Sequence, residues 1–243
     1  MTDISIVMPA FNEATILATS IDDVVTGMRA RGVSFEVIVV ENGSTDSTLE
    51  LARTIATQHP EVVVETLAVA DYGAALRHGL LHSAGAIVVN FDCDYYDLDF
   101  LDRASALVAA PDGPAIVVGS KRAPGADDRR AWPRRFVTAV FSTLLRVGFG
   151  LGVSDTHGMK ALRRTAVESA ARSCSLGRDL FDTELVLRVE RSGARVAEIA
   201  VAVEERRPAR TSIARRVPRT LLGLARLWFA LRRAPRRVAD TVS

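Results

Sequence analysis

Cysteine is scarce in this chain of 243 residues, and two common nucleotide-binding motifs are absent from it. Cys93 and Cys174 have no spacing typical of a disulfide framework, and no signal peptide precedes the first predicted strand. We therefore expect a reducing, cytoplasmic setting. Neither G-x-G-x-x-G nor G-x-x-x-x-G-K-[ST] occurs, which argues against the usual dinucleotide-binding and P-loop proteins.

Charge is distributed unevenly, although the net value is only +2. Residues 205–243 contain eleven arginines and two acids, whereas the first 204 residues have a net charge of −7. A basic segment of this kind suits nucleic acid, anionic lipid or a phosphorylated substrate. Because interleaved aromatic residues and known nucleic-acid motifs are lacking, we rank nucleic acid last and expect no such partner.

Strands and helices alternate through the first half of the chain, and a hydrophobic content of 48% is ample for one large domain. This pattern predicts an α/β fold with a mostly parallel sheet, covered on both faces, that binds ligands at the carboxyl ends of its strands. We predict strands at 4–8, 35–40, 62–67, 86–91 and 115–119, and helices at 12–31, 47–58, 71–83 and 98–110.

The alternation becomes irregular after residue 120. A charged loop is predicted at 123–135, an apolar helix at 136–150, and an irregular piece or short strand at 154–162. Helices at 165–173 and 180–192, a strand at 196–203 and a final helix at 218–233 complete the prediction.

Two carboxylates lie two positions apart, at Asp92 and Asp94, directly after an apolar strand. Neighbouring positions of a regular strand alternate in direction, but in a loop both acids can approach one hard divalent cation. Such a cation could neutralise a nucleotide diphosphate leaving group. Acids after a strand are more often a solvated turn or a helix cap, so the argument depends on the surrounding motifs.

Polar clusters follow four of the predicted strands and, in combination, resemble glycosyltransferase family two. The chain is similar in particular to the polyprenyl-phosphate (dolichol-phosphate) mannosyl- and glucosyltransferases. This resemblance implies a GT-A fold, a GDP- or UDP-hexose donor, Mg²⁺ or Mn²⁺, and inversion at the anomeric carbon. The residues that carry it are V-M-P-A-F-N-E at 7–13, E-N-G-S-T-D-S-T at 41–48, D-C-D at 92–94 and D-T-H-G-M-K at 155–160.

The resemblance covers roughly residues 1–215 and implies a role for each matching position. Residues 1–119 match the nucleotide-sugar half and 120–215 the acceptor half, followed by a basic tail at 216–243. The donor residues implied are Pro9, Phe11, Glu13, Glu41, Gly73, Arg77, Arg207 and Arg210, with Asp92 and Asp94 holding metal and diphosphate. The residues implied at the acceptor phosphate are Arg122, Arg134 and Thr138, which with Asp94 form the catalytic set.

The acceptor is open between two chemical classes. A lipid phosphate is already anionic and needs cations to position it, and the many arginines at 121–135 favour this class. A sugar hydroxyl needs a base, for which Asp182 and Glu184 are candidates, although acids there also suit a helix N-terminus. Two alternatives are a transferase acting on a soluble glycan or small metabolite and a catalytically weak nucleotide-sugar-binding protein. Tyr96 motivates the second, since relatives often have Gln there to complete the metal shell.

The final helix is basic and amphipathic, because Arg219, Arg226 and Arg233 share one side of it. Its apolar stretch, 221–231, is too short to span a bilayer. We expect it to lie on the cytoplasmic face of the cell membrane, close to a lipid acceptor. Packing on the domain, or on a second copy of the chain in a homo-oligomer, is the alternative.

Overall fold

A computed structural model of the chain describes residues 2–128, 132–177, 180–203, 222–229 and 231. Within them, the strands are β1 (Ile4–Ala10), β2 (Phe35–Asn42), β3 (Val62–Leu67), β4 (Ile87–Asn90), β5 (Ile116–Ser120), β6 (Asp127–Asp128), β7 (Lys160–Arg163), β8 (Val196–Ala200) and β9 (Ala202–Val203). The helices are α1 (Leu17–Arg31), α2 (Thr48–Gln58), α3 (Tyr72–His82), α4 (Leu98–Ala109), α5 (Trp132–Phe149), α6 (Arg164–Ser173) and α7 (Phe181–Arg191), and residues 222–229 are also helical.

The main sheet has the strand order β3-β2-β1-β4-β7-β5-β8. Its strands pair in parallel, except that β7 is antiparallel to both β4 and β5, and this confirms the mostly parallel sheet. The register pairs Lys160 with Asn90 on one side and with Val118 on the other. Since β7 runs in the opposite direction, its first residue lies where β4 and β5 end, and the loop before it enters the crevice there.

Apolar residues cover both faces of the sheet, as predicted. Successive residues of β1 alternate between two core clusters, with Ile6 and Met8 in one and Val7 in the other. The first cluster includes buried residues of α1 and α4, and the second includes those of α3, α6 and α7. All seven residues of β1 are buried, which is typical of a central strand in a sheet covered on both faces.

The first helix begins later than predicted. Asn12 has a φ of 55°, which is incompatible with a right-handed helix, and α1 begins only at Leu17. The amide of Asn12 donates to Ser44 Oγ at 3.0 Å, and the amide of Glu13 donates to Thr48 Oγ1 at 2.9 Å. These side-chain acceptors stabilise a loop where the sequence predicted the first turn of a helix.

Two boundaries in the second half also differ from the prediction. The prediction of a charged loop through residue 135 is wrong at its end, because α5 already begins at Trp132. Proline at the second helical position is compatible with this early start, since amides of the first turn have no intrahelical acceptor. The predicted strand at 196–203 is divided at Val201, after which β9 pairs with β6 in a second, two-stranded sheet.

Helical residues 222–229, with Leu231, pack on the domain. Leu224, Leu227 and Leu231 are buried in the second core cluster, and Arg191 Nη1 donates to the carbonyl of Leu231 at 3.1 Å. On another side of this helix, Phe229 is 58% exposed. Packing on the domain, the alternative to membrane contact, is therefore observed for one apolar face. In the described part of the chain, no helix combines the length and apolarity needed to cross a bilayer.

Candidate active site

The segment after β4 forms a tight turn that brings the two aspartates to one place. Asp92 and Tyr95 exchange two backbone hydrogen bonds of 3.1 Å, with Cys93 and Asp94 at the tip. Cys93 is buried, and its Sγ lies 3.5 Å from the carbonyl oxygen of Pro9. The strand thus ends in the loop that the sequence argument required, with the thiol packed inward between two acidic side chains.

Several charges surround Asp92. Its Oδ1 accepts a 2.7 Å hydrogen bond from the hydroxyl of Tyr72. Burial raises the pKa of Asp92 to about 6; the Tyr72 hydrogen bond and Lys160 oppose this shift, while the charges of Asp94 and Asp182 add to it. Burial, followed by the charge of Asp92, also raises the pKa of Tyr72 well above its ordinary value. The turn therefore concentrates negative charge that a cation would offset.

The residues at this turn fit a divalent cation that is shared with a diphosphate. No group of three or more His, Cys, Asp or Glu side chains suited to a metal converges within the described residues, so the protein donors would be Asp92 and Asp94. Mg²⁺ is commonly held by one or two carboxylates together with substrate phosphates and water. Tyr96, two residues beyond Asp94, donates its hydroxyl instead to Oδ2 of Asp23 on α1, at 2.6 Å.

The loops after β1 and β2 are joined into one polar wall. Asn12 Oδ1 accepts from the amide of Thr45 at 2.8 Å, and Asn42 Nδ2 donates to the carbonyl of Ala10 at 2.9 Å. Glu41 is buried at the end of β2 and accepts from the amide of Ser44. Of the residues predicted to bind the nucleoside, Pro9 lies at the end of β1, and Phe11 and Glu13 lie half-buried in the loop that follows. All four therefore lie at one edge of the sheet.

Helix α3 begins beside the acidic turn and packs closely on the sheet. A Cβ on Gly79 would lie 2.3 Å from Cγ1 of Val7, so glycine permits this approach. Gly73 is buried in the first turn of the helix, near the predicted donor site. Arg77, also predicted at the donor, donates to the carbonyls of Ala171 and Arg172 at 3.0 and 2.9 Å. Its guanidinium therefore caps the end of α6.

A cavity of about 460 Å³ opens beside the end of β5, between that strand and α5. It brings together two predicted acceptor residues, Arg122 and Thr138, and the described residues that line it include no acid. The lining residues are Lys121, Arg122, Ala123, Ala126, Arg135, Phe136, Thr138 and Ala139. A basic cavity of this composition suits an anionic group.

The loop before β7 connects this cavity to the acidic turn. Lys121 Nζ lies 3.9 Å from Oδ2 of Asp155 and donates to the carbonyl of His157 at 3.2 Å. Asp155 is 3% exposed, and its charge contributes to raising the pKa of Tyr95 in the acidic turn. The sequence motif at 155–160 was recognised, but the position of Asp155 between the two sites follows from the antiparallel β7, which the sequence did not predict.

Both candidate bases make strong contacts inside the domain. Asp182 Oδ1 lies 2.9 Å from Nζ of Lys160, and Lys160 is only 1% exposed. Glu184 is fully buried, pairs with Arg188 at 2.7 Å, and accepts from the amide of Leu176 at 2.8 Å. These contacts resemble the structural role of acids at a helix start, which was the alternative interpretation. Lys160 was missed, because a lysine that begins a short strand has no distinctive spacing.

Three predicted residues cannot be placed in the site. Arg207 and Arg210 lie outside the described residues. Arg134 lies in α5, but its side chain is likewise outside the described part of the chain. Their roles therefore stay predictions.

Comparison with known proteins identifies the family. Residues 5–170 match the family described as Glycosyl transferase family 2. The chain belongs to this family. Among family 2 relatives, dolichyl-phosphate beta-glucosyltransferase ALG5C of Trichomonas vaginalis is 29% identical over 212 residues, which are 82% of this chain and 63% of that protein. Undecaprenyl-phosphate 4-deoxy-4-formamido-L-arabinose transferase of Edwardsiella ictaluri is 28% identical over 173 residues, 70% of this chain and 52% of that protein.

The solved structures agree with this family 2 assignment. The mannosyltransferase PcManGT of Pyrobaculum calidifontis, in complex with GDP-Man and Mn²⁺, superposes with a TM-score of 0.66 at 24% identity, covering 96% of this chain and 65% of that chain. The GT-A fold and the resemblance to the polyprenyl-phosphate branch are confirmed. The chain spans less than two thirds of the length of the two curated relatives named above.

Proposed function

We propose that this chain is an inverting, metal-dependent glycosyltransferase that moves a hexose from a GDP- or UDP-sugar to polyprenyl phosphate at the cytoplasmic membrane surface. The observation that carries the proposal is the meeting of an acidic turn and a basic cavity at the ends of β4 and β5. A sugar nucleotide with its cation suits the acidic turn, and an anionic acceptor suits the cavity. Lys121 and Asp155 lie between them.

The donor half of the reaction is derived from the first two loops and the acidic turn. The wall formed after β1 and β2, which contains Glu41 and Asn42, is suited to hold the nucleoside. Asp92 and Asp94 would hold Mg²⁺ or Mn²⁺ against the diphosphate. A bound cation of this kind supplies charge neutralisation for the departing nucleoside diphosphate. Because PcManGT is described with GDP-Man and Mn²⁺, a cation of this type also suits the family 2 fold.

The acceptor half needs cations more than it needs a base. An oxygen of the lipid phosphate attacks the anomeric carbon and forms the new C–O bond, while the bond to the nucleoside diphosphate breaks and its electron pair leaves with that group. Attack opposite the leaving group inverts the anomeric centre. A phosphate oxygen has no proton to lose near neutral pH, so Arg122, Lys121 and Thr138 would orient it. The relatives named for dolichyl- and undecaprenyl-phosphate support this acceptor class.

Helix α5 supports a lipid acceptor through its exposed apolar side. At about 100° per residue, six exposed apolar residues share one side of this helix. They are Trp132, Phe136, Val137, Val140, Leu144 and Val147, and we call them the α5 stripe. The helix also contains three arginines and no acid, which complements an anionic lipid surface. Phe136 belongs to both the stripe and the acceptor cavity, so membrane contact through the stripe would place the cavity at the lipid headgroups.

Transfer to a lipid phosphate is tested by incubating the protein with UDP- and GDP-hexoses, Mg²⁺ or Mn²⁺, and either polyprenyl phosphate or soluble hydroxyl acceptors. We expect a glycolipid by mass spectrometry, and we expect Asp94→Ala to abolish it while circular dichroism and Tm stay unchanged. Product formed on soluble acceptors alone would favour the hydroxyl class. Binding of the donor without turnover on any acceptor would favour a nucleotide-sugar-binding protein instead.

A further inference from the structure

Tyr72 contacts the acidic turn from a different element. It is the first residue of α3, and its hydroxyl donates the 2.7 Å hydrogen bond to Oδ1 of Asp92. The preceding Asp71 caps this helix by accepting from the amide of Ala74 at 2.9 Å, and its own amide donates to Asn42 Oδ1 at 3.2 Å. The Tyr72 backbone is thus fixed at the start of a capped helix that is tied to β2.

The contact matters because the site offers few protein donors. With two aspartates as the carboxylates available within the described residues, the rotamer of each has a direct effect on the affinity for a cation. A hydrogen bond to one oxygen of a ligating carboxylate fixes the plane of that group and leaves the other oxygen for the metal. Tyr72 satisfies this geometry, since it engages Oδ1 and leaves Oδ2 of Asp92 for a cation.

We propose that Tyr72 is a positioning residue that orients the carboxylate of Asp92 toward the divalent cation of the nucleotide-sugar site. The inference rests on the proposed function, because it requires a cation at Asp92 and Asp94. Packing alone gives a weaker account of this side chain, since Tyr72 is 36% exposed. Its hydroxyl, by contrast, has a short and specific contact with one of the two acids.

The test is the affinity for Mn²⁺ in Tyr72→Phe, measured by electron paramagnetic resonance of free Mn²⁺, alone and with UDP or GDP present. Loss of a partner that orients a metal ligand typically weakens metal affinity about 10- to 100-fold. We expect a weakening in this range with an unchanged Tm. In the transfer assay, the Mn²⁺ concentration for half-maximal rate should rise, while the rate at saturating Mn²⁺ stays near that of the wild type. A merely structural role would not produce this division.

Tyr96→Phe is the matched control, because it removes a tyrosine hydroxyl from the same loop that bonds to Asp23 instead. It should bind Mn²⁺ as the wild type does. Asp94→Ala separates the two hypotheses. If Asp94→Ala retains Mn²⁺ affinity, the proposed metal site itself is wrong. If Asp94→Ala loses it while Tyr72→Phe binds as tightly as the wild type, or more tightly, the positioning role of Tyr72 is overturned and the metal site stands.

Discussion

At the scale of single residues, Asp92 combines two properties that oppose each other. A metal ligand must be ionised, yet burial of this carboxyl, together with the charges of Asp94 and Asp182, raises its pKa to about 6. Lys160 and the hydroxyl of Tyr72 act in the opposite direction and favour the charged form. Asp92 is therefore ionised near neutral pH but protonates at a higher pH than an ordinary aspartate, and a bound cation favours the charged form further.

The pH dependence of metal binding follows from this raised pKa. In the metal-free protein, Asp92 binds its proton more tightly when folded than when unfolded, so from about pH 4 to 6 it contributes stability that is lost as pH rises. Stabilisation by Mn²⁺ requires the carboxylate and has the opposite sign. We expect the increase in Tm caused by Mn²⁺ to shrink as pH falls through about 6, as measured by calorimetry. A constant increase between pH 7.5 and 5 would contradict a role for Asp92 in metal binding.

Residue types and spacing predicted some side chains of the site better than others. Asp92 and Asp94 were found because two acids after an apolar strand form a local pattern, and the turn that joins them is local as well. The contact of Arg77 with the end of α6 depends on residues 94 and 95 positions away, and no local pattern encodes it. The same is true of Tyr72, whose partner lies 20 positions away.

At the scale of elements, the first half of the chain follows its sequence closely and the second half does not. The bounds of β3 were predicted without error, and α2 and α4 within one residue, because period and caps are local. The antiparallel β7 consists of four residues after an irregular loop, and its direction is decided by pairing with β4 and β5. Strand direction is a property of tertiary contacts, so a short segment gives no signal of it.

The α5 stripe makes a testable prediction about membrane contact. Replacing Leu144 and Val147, which are 46% and 85% exposed, with glutamate should weaken binding to vesicles of phosphatidylglycerol and phosphatidylcholine. Losing the burial of two such side chains, each about 1.5–3 kcal/mol, corresponds to a reduction in partitioning of at least tenfold. Co-sedimentation measures it. Leu107→Glu on α4, where the residue is 42% exposed, is the matched control and should bind like the wild type.

The opposite outcome of this experiment is equally specific. If the double variant sediments with vesicles as the wild type does, the stripe has no role at the membrane. If it instead changes the molecular mass in solution, the stripe is an interface between copies of this chain. The arginines of α5 argue against that second result, since two copies of a helix with three arginines and no acid would repel each other.

At the scale of the whole molecule, the C-terminal helical residues connect the basic end of the sequence to the catalytic domain. The sequence predicted the helix and its amphipathic character, but not which face would be covered. Leu224, Leu227 and Leu231 join the core cluster that also contains residues of α3, α6 and α7. Docking of a helix on a distant surface depends on the shape of that surface, which only the folded domain provides.

Stability should therefore depend on this helix as it does on the rest of the core. Leu227 is fully buried, and Leu227→Ala should lower the free energy of unfolding by about 2–5 kcal/mol, since it removes buried methyl groups and leaves a cavity. Phe229→Ala, on the 58% exposed side chain of the same helix, should cost far less. Urea unfolding followed by tryptophan fluorescence and by circular dichroism measures both. Coincident curves with a lowered midpoint for Leu227→Ala would mean that the helix unfolds with the domain, whereas an unchanged midpoint would mean that it is a separate appendage.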